Sequence, residues 1–591
     1  MGARGLRRRS PSVPGWVLAL GIYLALALAL IARHAVTDPA HVCVCLGPAG
    51  DPPFFMWALK WWPYAISHGI NPFYSHAVWY PAGANIATAT AVPGAAVVLW
   101  PVTSVFGPIV AYDVAAVLSP TLSALAAYGL CRHLTRRFWP SLVGGFVYGF
   151  SSYELGQLMG HLHITLVFLV PLIPLLVLRR LDGRTSRARL ILGLAAVLAG
   201  ELLLSTELAF DSALLGGFGL VVAWLLSPPS ARRRLLTTAG EIVAAGALAV
   251  AVVSPYLYWA LVKGSVSHYG QVAGAHFAER YRLNPLNLVV PTPITWLGGT
   301  DLSGLRHFEG GNIVEAGGYL GVPMLVLFAV FVVTTWRRAG TRFLLAMAVI
   351  AAVLAMGPHL SYGSNDLIPL PWRLVENAPV FKAVLPTRFV LFLALIVGVG
   401  VALELAREGR RRPWFGWAVA VAGIVAVLPD PTAGFWHSRP EPVPAVVVDA
   451  RHRLPTGGSI LMVPVGQFGY SMYWQAATDF AFPLANGRVA LVLPPQYADE
   501  KASLDMANNV GPPREARLQE FLAVHRVSAV VVQPALRRRW DPALRRLGLH
   551  PRDVGGAAVY EVCGTSAGSG RSCGGASRPT TTRAASASEQ R

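Results

Sequence analysis

A lone carboxylate opens the first segment of this 591-residue chain whose residue types could do chemistry. Asp51 precedes two prolines and an aromatic-rich helical pattern in GDPPFFMWALKWWPYAISHGINPF, residues 50–73. An aspartate before proline is typical of a helix N-cap, which is a purely structural role. A positioned carboxylate can also act as a general base that takes a proton from an attacking hydroxyl group. The sequence leaves both roles open for Asp51.

The helix that Asp51 begins is predicted to be amphipathic. Tryptophans on the apolar face are typical of a helix that lies at a membrane interface. We count Lys60 and His68, on the opposite face, among the candidate substrate-binding residues. The apolar face consists of Phe54, Trp57, Trp61 and Ala65, and the polar face of Lys60, Tyr64, Ser67 and His68.

Three further stretches carry polar residues that could bind a substrate. The segment SSYELGQLMGHLHITL at 151–166 contains Glu154, His161 and His163, which could instead be solvated loop residues or, for His163, a helix cap. In LLLSTELAFDSALL at 202–215, Glu207 is either a cavity-facing acid or one half of an ion pair. In APVFKAVLPTRFVLF at 378–392, Arg388 either binds a phosphate or reaches out of a membrane span to water.

The elements that must position these residues belong to a membrane protein. Hydrophobic residues make up 54% of the chain and charged residues 13%, and the mean hydropathy is +0.50. A soluble protein of this length could not bury so much apolar surface. The net charge of +19 comes mainly from arginine clusters between apolar runs. Such clusters are typical of cytoplasmic loops, so we predict a lipid bilayer and no nucleic acid as partner.

Hydropathy and charge together predict eleven membrane spans with a cytoplasmic N-terminus. The arginine clusters between the spans are then all cytoplasmic, and the large loops at 34–108 and 263–316 lie outside. Residues 92–106 are too short and too rich in proline to span, so we predict an outer interfacial or re-entrant helix there. The spans lie near residues 15–33, 109–131, 139–153, 163–179, 188–205, 208–227, 236–261, 317–335, 342–358, 386–405 and 413–429.

The chain changes character after residue 430. Short β-type runs at 445–448, 459–465, 528–534 and 557–562, with a helix at 514–525, predict a small α/β domain. We therefore divide the chain into a cytoplasmic N-terminus (1–14), a transmembrane domain (15–429), an extracytoplasmic α/β domain (430–565) and a disordered tail (566–591). With this topology Cys43 or Cys45 could pair with Cys563 or Cys573, but nothing in the spacing demands it.

In layout the chain resembles the GT-C superfamily of membrane glycosyltransferases. The shared features are a first span, a long outer loop with an early acid and interfacial helices, many further spans and an extracytoplasmic C-terminal domain. It also resembles actinobacterial membrane proteins with the pattern D-P-x-x-F-x-W…H-G-x-N-P-F, here at 51–73, and G-Q-x-x-G-H-L-H, here at 156–163. The layout likeness covers nearly all of residues 15–562, whereas the motif match is confined to these two stretches.

The resemblance implies an enzyme of the cell membrane that transfers a sugar from a polyprenyl-phosphate donor to an extracytoplasmic glycan, lipid or protein. Asp51 would be the catalytic base of an inverting transfer, and Glu154, His161, His163, Glu207, Arg388, Lys60 and His68 would bind substrate. Related families often carry a pair of acids in the first loop, where this chain has one. No cofactor is therefore certain, and a divalent cation stays open.

Two other functions fit the same sequence. A lipid or polysaccharide transporter or flippase would have a polar path across the membrane, whereas the charged residues here gather on one face. A non-catalytic scaffold for cell-envelope assembly would need Asp51 only as a helix cap. A groove at the membrane surface with Asp51 at its mouth would favour the enzyme.

Overall fold

The computed structural model describes most of the chain. The predicted tail at 566–591, Cys563, Cys573 and nearly all of the predicted N-terminal segment 1–14 lie outside the described residues. Those described are 14–47, 50–264, 277–298, 312–362, 365–378, 380–409, 412–432, 434–450, 454–455, 457–488 and 493–562.

Helices dominate the first three-quarters of the chain. Among the described residues, four helices are long and apolar enough to cross a membrane: Trp100–Thr135, Thr206–Leu226, Pro229–Val252 and Pro386–Ala406. In chain order the α-helices α1 to α18 are Gly15–Leu30, Arg33–Thr37, Pro52–Ser67, Pro93–Val98, Trp100–Thr135, Phe138–Gly149, Ser152–Leu158, Leu162–Thr165, Leu172–Leu181, Arg187–Leu204, Thr206–Leu226, Pro229–Val252, Ser254–Leu257, Phe277–Arg280, Val322–Thr335, Ala339–Ala355, Val390–Ala406 and Pro413–Val427.

The predicted spans coincide with helices at most positions, and four differ. The span predicted at 236–261 is interrupted after α12 ends at Val252, and the helix of the span predicted at 317–335 begins only at Val322. The span predicted at 163–179 is broken, because α8 ends at Thr165 and α9 begins only at Leu172, directly after Pro171. Proline disfavours helical geometry in the residue before it, which explains the gap. The span predicted at 139–153 is shorter, since α6 ends at Gly149. The total number of spans stays a prediction.

The segment predicted not to span is a separate piece of helix. Residues 100–106 form the first part of α5, and Gly107, with φ 85° and ψ 175°, separates them from the rest of the helix. A residue with a side chain rarely adopts this positive φ, so glycine allows the sharp change of direction. Val105 and Phe106, at the end of this piece, are exposed, as expected of side chains that face lipid.

The helix α3, which Asp51 begins, forms where predicted but is not amphipathic in its burial. Twelve of its sixteen residues are buried, including Trp57 and Trp61. It packs against α5 on one side and, on the other, against Ser471–Ala477 of the C-terminal region. The tryptophan spacing predicted a surface helix with one face in lipid. This prediction is wrong, because other parts of the protein cover α3.

Several arginine clusters meet at one end of the helical bundle. Arg137 binds Glu408, which joins the first cluster to the last. Nε2 of His133 lies 2.9 Å from Oδ2 of Asp182, which is in the loop after α9. Nη2 of Arg234 donates to the carbonyl of Arg180 at 3.2 Å. The loops that carry these clusters therefore share one end, the arrangement expected of cytoplasmic loops.

The C-terminal region contains a four-stranded mixed sheet. Its strands are Ser459–Val463, Val527–Val532, Pro551–Val554 and Ala557–Glu561, numbered β5 to β8, in the order β5-β6-β8-β7. Three of them match predicted β-type runs, whereas the run at 445–448 is a short helix, Ala445–Val448. Two further pairs of strands lie earlier in the chain, Tyr74–Ser75 with Ala84–Asn85 (β1, β2) and His359–Tyr362 with Asn365–Pro369 (β3, β4). The helices of the C-terminal region, α19 to α23, are Ala445–Val448, Ser471–Ala477, Lys501–Asn508, Glu515–Val524 and Pro534–Arg546.

The side chain of Gln475 helps to bind the C-terminal region to the first loop. Gln475 of α20 accepts a hydrogen bond from the Trp57 indole at 2.7 Å and donates to the carbonyls of Ala77 and Phe482. The buried amide of Gln475 thus uses its oxygen and its nitrogen in these three hydrogen bonds.

Cys43 pairs with Cys45 in a disulfide, which leaves neither thiol for the partners near the C-terminus that the topology had permitted.

Candidate active site

Asp51 stands at the start of α3 but does not cap the helix with its side chain. Its backbone carbonyl accepts the first helical bond, from the Phe55 N–H at 3.1 Å, while the carboxylate makes no hydrogen bond to the described helix N–H groups. Pro52 and Pro53 occupy the first helical positions, where they have no N–H to offer. The capping role that the sequence left open is therefore not the one that Asp51 plays.

The Asp51 carboxylate instead contacts two side chains from distant parts of the chain. Its Oδ1 lies 2.5 Å from Nη2 of Arg488, and its Oδ2 lies 3.4 Å from Nε2 of His161. The side chains of all three keep about a fifth of their surface exposed, at 20% for Asp51, 20% for His161 and 19% for Arg488. A reactant in water can therefore reach the carboxylate.

His161 is held from its other side by two residues. Its Nδ1 lies 2.6 Å from the amide oxygen of Gln157 and 3.5 Å from Oε1 of Glu315. Gln157 Nε2 in turn donates to Oε2 of Glu315 at 2.8 Å. These contacts orient the imidazole so that Nε2 faces Asp51.

Behind His161 lies a buried ion-pair cluster around Arg388. Arg388 donates from Nη2 to Oε1 of Glu315 at 2.7 Å and from Nη1 to Glu207. Arg388 comes from the turn before α17, Glu207 from the start of α11, and Glu315 from the turn Ile313–Glu315. The ion-pair alternative for Glu207 is the one observed, and a phosphate at Arg388 would have to displace one of the two carboxylates.

Two glycines explain why these elements can come so close. A Cβ atom on Gly156 would lie 2.8 Å from the carbonyl oxygen of Val314, the residue before Glu315. A Cβ atom on Gly317 would lie 2.6 Å from the Cα of Tyr153. Real Cβ atoms essentially never make such contacts, so the Gly-Gln pair of the 156–163 motif lets Gln157 reach Glu315.

Glu154 and His163 are buried and point away from Asp51. Oε1 of Glu154 accepts from the hydroxyl of Ser119 at 2.6 Å, and burial raises the pKa of this carboxyl well above its usual range. His163 stacks on Phe55, with 5.4 Å between ring centroids. Neither is the solvated loop residue that was the alternative to substrate binding.

Lys60 and His68 lie further along α3. At a rise of about 1.5 Å per residue, they are roughly 13 Å and 25 Å from Asp51 along the helix axis. Lys60 pairs with Asp479 at 2.8 Å, and His68 stacks on Tyr64 and contacts its carbonyl at the helix end. A substrate that touches both Asp51 and His68 would have to extend along the whole helix.

Burial favours the neutral form of His161. Burial lowers the pKa of His161 below its usual range, which the carboxylates of Asp51 and Glu315 oppose and the positive charges of Arg388 and Arg488 reinforce. Burial alone would raise the pKa of Glu315, but Arg388, His161 and the hydrogen bond from Gln157 together lower it. At neutral pH the site therefore combines an ionised Glu315 with an uncharged imidazole.

Arg488 and Glu315 are site residues that the sequence did not single out. Each is the partner of a predicted residue, yet each lies hundreds of residues from Asp51 in the chain. Glu315 has a recognisable signal, because it is an isolated acid beside Gly317 and Gly318, just before a span. Arg488, in the sequence LANGRV, carries no comparable signal.

Across the described ranges, no three His, Cys, Asp or Glu residues are grouped so that they could hold a metal ion. Asp51 already contacts an arginine, whose positive charge would repel a cation bound at the same carboxylate. The arrangement is that of a carboxylate with a guanidinium group on one side and an imidazole on the other.

Sequence comparison identifies the family. Residues 18–428 match the family model described as a domain of unknown function, DUF6311. The chain belongs to the DUF6311 family. No curated protein matches this DUF6311 protein in sequence.

Solved structures with a similar fold are glycosyltransferases. The apo oligosaccharyltransferase of Archaeoglobus fulgidus matches with a TM-score of 0.52 at 14% identity, over 88% of this chain and 70% of that chain. The arabinofuranosyltransferase AftD from Mycobacteria matches with a TM-score of 0.52 at 16% identity, over 92% of this chain and 41% of that chain. At these identities the likeness shows the fold alone, which this chain shares with these two glycosyltransferases.

Proposed function

We propose that this DUF6311 protein is a membrane glycosyltransferase that moves a sugar from a polyprenyl-phosphate donor to an extracytoplasmic glycan, lipid or protein. The observation that carries the proposal is the Asp51 carboxylate, which is free of helix capping and partly open to water. It lies in the first large loop of a chain whose fold is that of glycosyltransferases. The donor class follows from the sequence resemblance to GT-C enzymes.

In the proposed reaction, Asp51 takes the proton from a hydroxyl group of the acceptor. The hydroxyl oxygen forms a bond to the anomeric carbon on the face opposite the phosphate. The bond from the anomeric carbon to the phosphate oxygen breaks, and its electron pair leaves with the polyprenyl phosphate. Attack from the opposite face inverts the anomeric configuration, so a second acid is not needed.

Arg488 is the cation best placed to assist this step. It contacts Asp51 at 2.5 Å and remains partly exposed, so it can face a phosphate that enters beside the base. Arg388 is the alternative phosphate ligand, but both its terminal nitrogens already donate to carboxylates. We therefore assign Arg388, with Glu207, to holding the site together.

A proton- or ion-coupled transporter is the second candidate. Both carboxylate oxygens of Glu201 and of Asp211 are buried without a hydrogen-bond partner among the described residues. Buried acids in apolar helices often mark an ion pathway in transporters. A pathway would carry substrate across a vesicle membrane, whereas the proposed enzyme would only change its chemical form.

The test is turnover by the purified protein with radiolabelled polyprenyl-phosphate sugars and an extracytoplasmic glycan acceptor. Asp51→Asn should lower the transfer rate by about 10²–10⁴-fold, the usual contribution of a general base. Its thermal stability should stay close to that of the wild type, because the carboxylate does not cap the helix. Parallel reactions with a chelator show whether a divalent cation takes part.

Asp38→Asn is the matched control. Asp38 lies in the same loop and also pairs with an arginine and a histidine, Arg439 at 3.0 Å and His41 at 2.8 Å. This variant should transfer sugar at the wild-type rate. Equal activity in Asp51→Asn and Asp38→Asn would remove Asp51 from catalysis, and flux of intact lipid-linked sugar without transfer would favour the transporter.

A further inference from the structure

The hydrogen bonds around Gln157 determine which nitrogen of His161 carries the proton. Glu315 is an ionised carboxylate bound to Arg388, so it can only accept hydrogen bonds. The amide group of Gln157 must therefore turn its nitrogen to Glu315, at 2.8 Å, and its oxygen to His161. This orientation follows from the chemistry of the partners and does not depend on telling oxygen from nitrogen in the amide.

The Gln157 oxygen then fixes the tautomer of the ring. Nδ1 of His161 lies 2.6 Å from that oxygen, and the next nearest group, Oε1 of Glu315 at 3.5 Å, is also an acceptor. Nδ1 must therefore carry a hydrogen. In the neutral ring Nε2 then has a free electron pair, which faces the carboxylate of Asp51.

The distance between His161 and Asp51 agrees with this tautomer. Nε2 and Oδ2 are 3.4 Å apart, whereas a donor and an acceptor would approach to about 2.7–3.2 Å. Two acceptors that face each other keep such a separation. Once Asp51 gains a proton, the same two atoms become a donor and an acceptor.

We propose that His161 receives the proton that Asp51 takes from the acceptor hydroxyl, and so restores Asp51 as a base for the next turnover. The inference rests on the proposed function. The O–H bond of protonated Asp51 breaks, its electron pair stays on Oδ2, and the proton forms an N–H bond at Nε2. The resulting imidazolium passes the proton to water through its exposed fifth, and no other reactant is needed.

The charged groups that face His161 support this cycle. Asp51 and Glu315 stabilise the imidazolium once it forms, while Arg388 and Arg488 oppose it and so favour release of the proton. His163 lies 6.1 Å away between ring centroids and its Nδ1 has no partner within the described chain. The imidazole of His161 can therefore gain and lose a proton, and no neighbouring residue among those described holds it in one protonation state.

The first test reads the tautomer directly and does not depend on turnover. Protein labelled with ¹⁵N-histidine in lipid bilayers should show a neutral His161 with its hydrogen on Nδ1, identified by its loss in His161→Ala. Gln157→Ala should shift this signal toward the other tautomer. A wild-type ring with the hydrogen on Nε2 would overturn the inference and leave the proposed function intact.

The second test uses the kinetics of His161→Ala. The turnover number should fall by up to about 10²-fold with an unchanged KM for the lipid donor, and the pH profile should lose the contribution of the His161 imidazole. Added imidazole should restore part of the rate, which a residue with a purely structural role would not allow. His161→Asn provides a second, polar replacement if the alanine variant does not fold.

His41→Ala is the control, because His41 is an exposed histidine outside the site. It should show the wild-type rate, the wild-type pH profile and no response to imidazole. A slow His161→Ala enzyme with a wild-type pH profile and no imidazole rescue would overturn the inference. Absence of sugar transfer by the wild type would instead reject the proposed function, and this inference with it.

Discussion

At the residue scale, Asp51 shows how prolines can release a carboxylate from its ordinary place at a helix start. A capping side chain binds the free N–H groups of the first turn. Pro52 and Pro53 remove two of these donors, so little remains there for the carboxylate to bind. The side chain turns to Arg488 and His161 instead. The D-P-P sequence is thus a signal for a freed acid as much as for a helix cap.

Glu154 offers a residue-scale prediction about pH. Because burial raises its pKa in the folded protein, this carboxyl favours folding in its protonated form. Its contribution is fully present below about pH 4.5, its ordinary value, and is lost as the pH rises through the folded value. Glu154→Gln does not titrate and can still accept from Ser119. We expect this variant to be more stable than the wild type at alkaline pH and similar to it at acid pH.

The measurement is the midpoint of thermal unfolding in detergent across the pH range. Glu520→Gln, an exposed glutamate on α22, is the control and should follow the wild type throughout. If the unfolding midpoints of Glu154→Gln and the wild type change with pH in parallel, Glu154 does not contribute the predicted pH dependence of stability.

Residue types and local spacing indicated part of the site. Asp51 and His161 stand in quoted motifs and contact each other in the structure. Arg488 and Glu315 escaped prediction because their significance lies in contacts between distant segments, which no local pattern encodes. A buried cation needs an anion nearby, so Arg388 predicts some acidic partner, but not which one.

At the element scale, Arg388 joins three segments that are far apart in the sequence. It holds the start of α11 through Glu207 and the turn before α15 through Glu315. Arg388→Met should destabilise the protein by about 3–5 kcal/mol, because two carboxylates would remain buried without a cation. Chemical unfolding in detergent would measure this loss.

The matched comparison removes the carboxylates as well. A triple variant with Arg388→Met, Glu207→Gln and Glu315→Gln should regain most of the stability, since no unpaired charge is then buried. A triple variant as unstable as Arg388→Met would show that lost packing, not uncompensated charge, is the cause.

Elements were predicted better where one strong local signal decided them. The Pro-Gly segment before α5 and most long apolar helices lie where expected. The broken span near Pro171 and the helical run Ala445–Val448 differ, because proline geometry and tertiary packing override apolar composition. The burial of both sides of α3 depends on a region more than 400 residues later, as the 418-residue separation of Trp57 and Gln475 shows.

At the scale of the whole molecule, the arginine clusters and the candidate site lie in different sets of loops. We expect His41→Cys, next to the site loop, to react with an impermeant maleimide added outside intact cells. Glu408→Cys, beside an arginine cluster, should react only after the membrane is opened. Both side chains are exposed, at 71% and 82%, so accessibility reports sidedness. Cys131, Cys563 and Cys573 are first replaced by serine.

The reverse labelling pattern would put Asp51 in the cytosol, where the proposed donor does not present its sugar. The domain division into a membrane part and an extracytoplasmic part would fail with it. Labelling of both positions from outside would instead break the predicted run of spans between them.

The contact between Asp51 and Arg488 also has a consequence for biosynthesis. The ribosome makes Asp51 early and makes Arg488 only after the last predicted span, 413–429, has been synthesised. Until then α3 lacks the cover that the α20 segment provides, and its tryptophans stay open to solvent or to a chaperone. A nascent or prematurely terminated chain thus contains Asp51 without Arg488 beside it. The complete candidate site therefore forms only late in synthesis.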